Sequence, residues 1–437
     1  MKKILLAALL ISSGAFAQTG GWDIKTCIDY AIEHNLTVKQ SQNTVLQREI
    51  DVNSAEGRRL PSLNASTSQN FSFGRGLTAD NTYANTNTTS TSFSLGTDVP
   101  IFNGLDITRG IKLSKLELAA ATEDLEKAKN DIRISVAQAY VQILYNKEIL
   151  AVAKNQVQRD SLQLVRITAM AKSGKASNSE VAAQQSSLAQ SRVSEVQAEN
   201  SLNLSILDLT QLLELTAPEG FDIVKPDASK LDPRILPSPE DIYAAALDIR
   251  PEIRSQELRL DYAELNILRA KGGYLPSLNL NGGIGSNYYT SSGFESKSFG
   301  DQISNNFSQY IGLSLSIPIF NRFNTRNQVK TAQINFNNQE LQLENTKKSL
   351  YKEIQQVYYN AVASQAKMLS SKEAASSAEV AFELTTEKYE NGKSNITEYN
   401  DAKNRYLEAE SNFLQARYEC LFQNSLVDFY QGKELSF

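Results

Sequence analysis

Hydrophobic positions recur in two different rhythms along this chain. In one, apolar residues return every seven positions: Ile111, Leu118, Leu125, Ile132 and Ala139, and in a second register Val136, Ile143, Leu150, Val157 and Leu164. The same rhythm reappears in the second half through Val329, Phe336, Leu343, Leu350 and Val357, then Ile354, Ala361, Met368, Ala375 and Phe382. Sustained sevens predict helices packed along a coiled-coil-like seam. Neither Pro nor Gly interrupts Ile111–Ser173 or Phe323–Asn391, so long helices are expected over about 106–173 and 323–391. At ~1.5 Å per residue the first is about 100 Å long, far beyond the needs of a globular core. Shorter helical segments flank them, from Ile24 to about Arg59, Lys175 to Leu213, and Ile242 to about Gly273.

The other rhythm is strict alternation. Leu63, Ala65, Thr67, Phe71 and Phe73 oppose Asn64, Ser66, Ser68, Asn70 and Ser72, and Phe93, Leu95, Thr97 and Val99 oppose Ser92, Ser94, Gly96 and Asp98. Leu278, Leu280 and Ile284 share a face in the second half, as do Ile311, Leu313, Leu315 and Ile317. Strands are expected at about 61–74, 89–102, 276–289 and 309–320, with long polar loops at Arg75–Thr88 and Thr290–Ser308. A soluble half-buried sheet would alternate in the same way. Strands of about 10 or more residues with aromatic ends (Phe71, Phe73, Tyr288, Tyr289, Tyr310) tip the reading towards a membrane barrel with lipid outside and water within.

The halves are copies of one plan. Leu60-Pro61-Ser62-Leu63-Asn64 returns as Leu275-Pro276-Ser277-Leu278-Asn279. Val99-Pro100-Ile101-Phe102-Asn103 returns as Ile317-Pro318-Ile319-Phe320-Asn321, and Gly174-Lys175 as Gly392-Lys393, these two at one and the same offset. Three echoes in order establish a duplication. The repeats are taken as 18–213 and 240–437, joined by a linker at 214–239 that holds Pro218, Pro226, Pro233, Pro237 and Pro239. The expected fold is mainly α with a small β part, a duplicated unit of helix, two strands, long helix and helix.

Composition narrows the setting. Lys2 and Lys3, the apolar run Ile4–Ile11 and Ala15-Phe16-Ala17 read as a signal peptide over 1–17, too short to cross a bilayer. Gln18 rather than Cys follows, which gives no sign of a lipid anchor. The formal charge of −5, or −7 once Lys2 and Lys3 are gone (−5 − 2), speaks against nucleic acid as a partner. Two cysteines are too few for a disulfide scaffold; Cys27 and Cys420 could still pair after export, and packed thiols are the preferred reading. His34 has no nucleophile or metal partner near it in sequence, and Gly272-Gly273 and Gly282-Gly283 do not form a phosphate loop. No catalytic, cofactor or metal site is expected, and no enzyme. Phe437 at the C-terminus follows a helix and is taken as coincidental to barrel chemistry.

Four strands cannot close a barrel, and open edges are not viable in lipid. The chain must therefore oligomerise; two copies would give eight strands and three would give twelve, and the arithmetic leaves both open.

The duplicated order, the two Leu-Pro-Ser-Leu-Asn junctions, the Val/Ile-Pro-Ile-Phe-Asn strand ends and Tyr389-x-x-Gly392 resemble the TolC-like outer-membrane efflux family over nearly all of the mature chain. The resemblance implies a homotrimer with a twelve-stranded barrel in outer-membrane lipid and an α-helical periplasmic tunnel. It also implies a periplasmic adaptor and an inner-membrane pump of RND, ABC or MFS type. The tips at 172–178 and 390–395, with Gly174, Lys175, Gly392 and Lys393, would dock the adaptor. Glu398 and Asp401, six and nine residues after Gly392, would ring the periplasmic entrance on one helix face. Tyr389, Glu180 and Arg417 would make gate contacts. The sequence departs from the family pattern at Ser394, where an arginine is common. An exported structural or adhesive coiled-coil protein is the alternative, one that accounts for the heptads but not for the strand pairs.

Overall fold

The computed structural model describes residues 21–77, 81–216, 220–226, 234–292 and 295–435. The signal peptide expected at 1–17, Phe437, and Pro218 and Pro233 of the expected linker lie outside the described residues. The elements in order are α1 (Ile24–His34), α2 (Leu36–Gly57), β1 (Ser62–Leu77), β2 (Tyr83–Asn103), α3 (Asp106–Lys172) and α4 (Asn178–Leu212). The second repeat follows as α5 (Pro239–Ile249), α6 (Pro251–Lys271), a 3-10 turn, β3 (Ser277–Ser291), α7 (Phe299–Asn305), β4 (Ser308–Ser316), α8 (Asn324–Glu390) and α9 (Ile396–Tyr430). The fold is mainly α with a small β part, the class expected from the sequence. Two compact units share the chain, one drawn from 1–39, 128–249 and 350–437, the other from 40–127 and 250–349. No helix among the described residues is long and apolar enough to cross a membrane.

The first helical segment of each repeat is broken where the apolar pattern predicts one continuous helix. Asn35 ends α1 with φ −59° and ψ 132°. Its side chain accepts from the Thr37 amide at 2.9 Å and donates to the Leu212 carbonyl at 3.1 Å, a local competition with the helix ladder that Asn performs well. Arg250, at the corresponding place in the second repeat, stands before Pro251 in extended backbone, because proline disfavours helical geometry in the residue preceding it. The two breaks occupy equivalent places and arise from different chemistry.

The four strands form one antiparallel sheet in the order β1-β2-β3-β4, and the β2–β3 ladder joins the two repeats. The rows Leu63–Thr97–Gly282–Ile311 and Val99–Leu280–Leu313 share a face, so the apolar positions of all four strands align. That face is open: Leu63 is 71 % exposed and Ile311 81 %. Tyr310 belongs to the opposite, polar face, paired with Gly283 across from Gly96 and Asn64.

The strand limits correct the sequence reading in two places. The loop expected at Arg75–Thr88 is mostly sheet, since β1 and β2 pair from Ser62↔Asp98 as far as Leu77↔Tyr83. A run of Thr, Asn and Ser carries no apolar alternation to announce it, yet its branched threonines suit a strand. β4 stops at Ser316 rather than continuing to about 320. The matching segment of β2 stays in the sheet by shifting register between Pro100 and Phe102. At the edge Pro318 has no N–H to donate, and the ladder ends. The Thr290–Ser308 connection holds α7, whose Gln302 side chain bonds both the N–H and the carbonyl of Tyr289, at 2.9 and 3.0 Å, beyond the reach of β4.

Each repeat turns from strand into long helix through two consecutive residues with left-handed backbone. These are Gly104 (φ +63°) and Leu105 (φ +68°) in the first, Arg322 (φ +55°) and Phe323 (φ +62°) in the second. The second pair has no glycine, so the same turn carries more strain there.

Within the first-named unit, Met368, Ala416 and Cys420 pack with Phe413, and the Tyr140 hydroxyl donates to the carbonyls of Trp22 at 3.1 Å and Val224 at 2.6 Å. Both cysteines are free and buried, and burial pushes the Cys27 thiol up to about 12, as suits packed thiols.

Candidate functional site: the hairpin tips

α3 and α4 form one hairpin, α8 and α9 another, and their turns have closely similar backbones. In the first, Gly174 takes φ +75° and the Lys175 amide donates to the Met170 carbonyl at 2.9 Å. In the second, Gly392 takes φ +69° and the Lys393 amide donates to the Lys388 carbonyl at 2.8 Å. These are glycine-terminated helix ends of the Schellman kind, in which a left-handed residue lets a later amide satisfy a carbonyl of the last turn. Gly174, Lys175, Gly392 and Lys393 are all exposed at the tips.

The side chains treat the two turns differently. Ser177 and Glu180 close a capping box on α4: the Glu180 amide donates to Ser177 Oγ at 3.2 Å and the Ser177 amide to Glu180 Oε2 at 2.7 Å. On α9, Asn395 caps alone, accepting from the Glu398 amide at 2.9 Å, while the Ser394 hydroxyl bonds the Glu398 carboxylate. The residue that stands where an arginine is common therefore orients an acidic side chain. Glu398 and Asp401 are both exposed, opposite buried Tyr399 and Lys403.

Tyr389 is brought against the first hairpin. It bonds Gln163, and its ring lies 5.2 Å from that of Tyr399. Burial first, and the nearby charge of Glu180 second, push its phenol above the ordinary value. Glu180 is thus close to Tyr389, although its carboxylate is also engaged in the capping box. Arg166 and Glu390 form an ion pair at the same level. Arg417 is not part of this group. It lies 16 residues beyond Asp401 on α9, about 24 Å along the helix, over the ring of Tyr418.

Comparison with known proteins places the architecture. The family model for outer membrane efflux proteins matches the chain twice, over residues 27–214 and 242–426. The chain belongs to this family. The outer membrane protein TolC of Salmonella enteritidis is 26 % identical over 372 residues, covering 82 % of this chain and 73 % of that one. A membrane protein from Pseudomonas aeruginosa has the same fold, with a TM-score of 0.78 at 18 % identity over 93 % of this chain and 91 % of its own. So does the open state of the MtrE outer membrane channel of Neisseria gonorrhoeae, with a TM-score of 0.75 at 18 % identity over 93 % and 88 %. This is an outer-membrane efflux protein, and the adhesive coiled-coil alternative finds no support among these relatives.

One cluster of this efflux protein has no place in the sequence reading. Asp160 and Lys403 are fully or nearly fully buried and ion-paired, with Gln184, Ser187 and Ser191 around them. The signal was present. Continuing the sevens from Ile132 and Ala139 lands on Asn146, Ala153, Asp160 and Ile167, and both Asn146 and Asp160 are buried. A polar residue on a seam position asks for a buried partner. Among the described residues no group of three or more His, Cys, Asp or Glu is placed to hold a metal ion.

Proposed function

We propose that this chain is one subunit of a homotrimeric outer-membrane channel, the passive exit duct of a tripartite efflux or type I secretion system. The observation that best supports it is the sheet. Its apolar face is exposed, its other face carries mainly small polar side chains, and β1 and β4 each have one edge without a ladder partner among the described residues. Lipid against the apolar face and neighbouring copies at both edges would satisfy all three conditions. Three copies give a twelve-stranded barrel, continued into the periplasm by the long helices. Residues 1–17 would serve as the export signal and 214–239 as the link between the repeats.

In this reading the tips at Gly174-Lys175 and Gly392-Lys393 dock a periplasmic adaptor, which connects the duct to an inner-membrane pump of RND, ABC or MFS type. Glu398 and Asp401 from three copies gather six carboxylates around the entrance and favour cations. Tyr389 with Gln163, and Arg166 with Glu390, hold the second tip against the first in the closed state. Conductance in planar bilayers tests this. Wild-type trimers should give small, cation-selective steps, and Glu398→Ala/Asp401→Ala should lose that selectivity. An inserted oligomer without conductance in either form would refute the channel, and unchanged selectivity would refute the acidic entrance.

A further inference from the structure

The buried pair between α3 and α9 has no part in the gate just described. Lys403 Nζ lies 3.1 Å from Asp160 Oδ1 and 3.5 Å from Oδ2, and it donates to Ser187 Oγ at 2.8 Å. The Ser191 hydroxyl donates to Asp160 Oδ2, and the Gln184 amide donates to the Asp160 carbonyl at 3.2 Å and to Oδ1 at 3.4 Å. Three helices, α3, α4 and α9, therefore converge on two opposite charges shielded from solvent. Hydrogen bonds of this kind are strong and directional, and separating such a pair leaves an uncompensated buried charge.

Position gives the cluster its meaning. Lys403 follows Asp401 by two residues and Glu398 by five, all within the first turns of α9. It points into the bundle while the two carboxylates face out. A slip of α9 by one residue, or a rotation that took Lys403 off Asp160, would turn Glu398 and Asp401 by the same angle. Nearer the turn, the ion pair between the hairpins is Arg166–Glu390, whose side chains are 39 % and 49 % exposed and so screened by solvent. The fixed point is the buried pair.

We propose that Asp160 and Lys403 are the positioning pair of the channel entrance: they lock the height and rotation of α9 against α3 and α4 and so aim Glu398 and Asp401 at the passage. The proposal rests on the acidic-entrance reading above, and its test separates the two. Single-channel step size and the cation-to-anion permeability ratio are measured in planar bilayers for wild type, Lys403→Met, Lys403→Arg, Asp160→Asn/Lys403→Met and Glu398→Ala/Asp401→Ala. Lys403→Met should lower the permeability ratio several-fold, towards that of Glu398→Ala/Asp401→Ala, although Lys403 faces away from the passage. Lys403→Arg and Asp160→Asn/Lys403→Met should recover most of it. If Lys403→Met does not assemble, Ser187→Ala/Ser191→Ala, which trims the shell and leaves the charges, should shift the ratio in the same direction by less. Suppose Glu398→Ala/Asp401→Ala leaves selectivity intact while Lys403→Met changes the step size and the double neutral variant restores it. The acidic entrance then fails and the positioning role stands. A Lys403→Met trimer with wild-type step size and selectivity, merely less resistant to heat, would make the pair structural and overturn the proposal.

Discussion

The two repeats share a plan of elements and differ in what fills it. Phe382, Tyr389, Tyr399 and Tyr406 form an aromatic stack on the second hairpin, with Phe382 5.7 Å from Tyr406 and 5.6 Å from Tyr399. At the equivalent positions the first hairpin has Leu164, Ala171, Val181 and Leu188. Asp160 and Lys403 have Ala378 and Gln185 as their counterparts, so the buried charges are also unique to one position of each hairpin. The seam and the glycine turns are the portion a duplication can keep, because any apolar side chain of suitable size satisfies a heptad. Aromatic stacking and a buried ion pair demand particular partners, and they are where the copies have specialised.

The largest expected effect that would break this comparison is at Phe382. Phe382→Ala should cost about 3–5 kcal/mol, and the equivalent Leu164→Ala, at a half-buried site, about 2 kcal/mol. Unfolding in urea or hydrogen exchange at the two hairpins checks the difference; equal losses would mean that the aromatic stack adds nothing. Next comes capping. Ser177→Ala removes the two bonds of the hydroxyl, from the Glu180 amide and to the Glu180 carboxylate, and leaves the backbone half of the box; it should cost about 1–2 kcal/mol, against about 1 kcal/mol for Asn395→Ala, read as amide protection in the first turns of α4 and α9.

A third contrast is in pH. Burial first, then the charge of Asp160, pushes the Tyr399 phenol to about 12 from an ordinary 10.0. An acid whose folded value is raised contributes stability that is fully present below the unfolded value and disappears as pH climbs through the folded one. The second hairpin should therefore loosen between about pH 10 and 12, following phenolate absorbance, while the first, with Val181 at the equivalent site, should not respond through this residue. The smallest effect lies at the strand-to-helix turns. Arg322→Gly should stabilise by about 1 kcal/mol by relieving left-handed strain, narrowing the gap to the Gly104 turn of the first repeat. A thermal melt of the two proteins side by side decides it.

These differences also mark where the sequence was readable. Heptads, alternation and the repeat are periodic signals averaged over many residues, and they located the long helices and the sheet well. Single-residue events were harder. Asn35 and Arg250 break their helices through a side-chain bond and a following proline, neither of which disturbs the apolar rhythm. β4 ends early because Pro318 falls on an edge strand, while β2 continues past Pro100 between two neighbours, and that difference comes from the topology and not from the local sequence. Arg417 was expected at the gate through the family resemblance, and within one chain helix geometry places it about 24 Å up α9 from Asp401. Asp160 was legible in principle, since it lies on the seam, but its partner Lys403 is on a helix 243 residues away in sequence.

The lengths of the outer strands have a consequence for the life of the chain before it assembles. β1 runs for 16 residues and β4 for 9, neither outer edge has a ladder partner among the described residues, and the apolar face between them is bare. A solitary copy in water is a template for sticking to any extended peptide or to another copy in the wrong register. Such a chain cannot safely wait in free solution. Covering the edges and the apolar face of the sheet is therefore part of the folding of this chain and not a step that follows it.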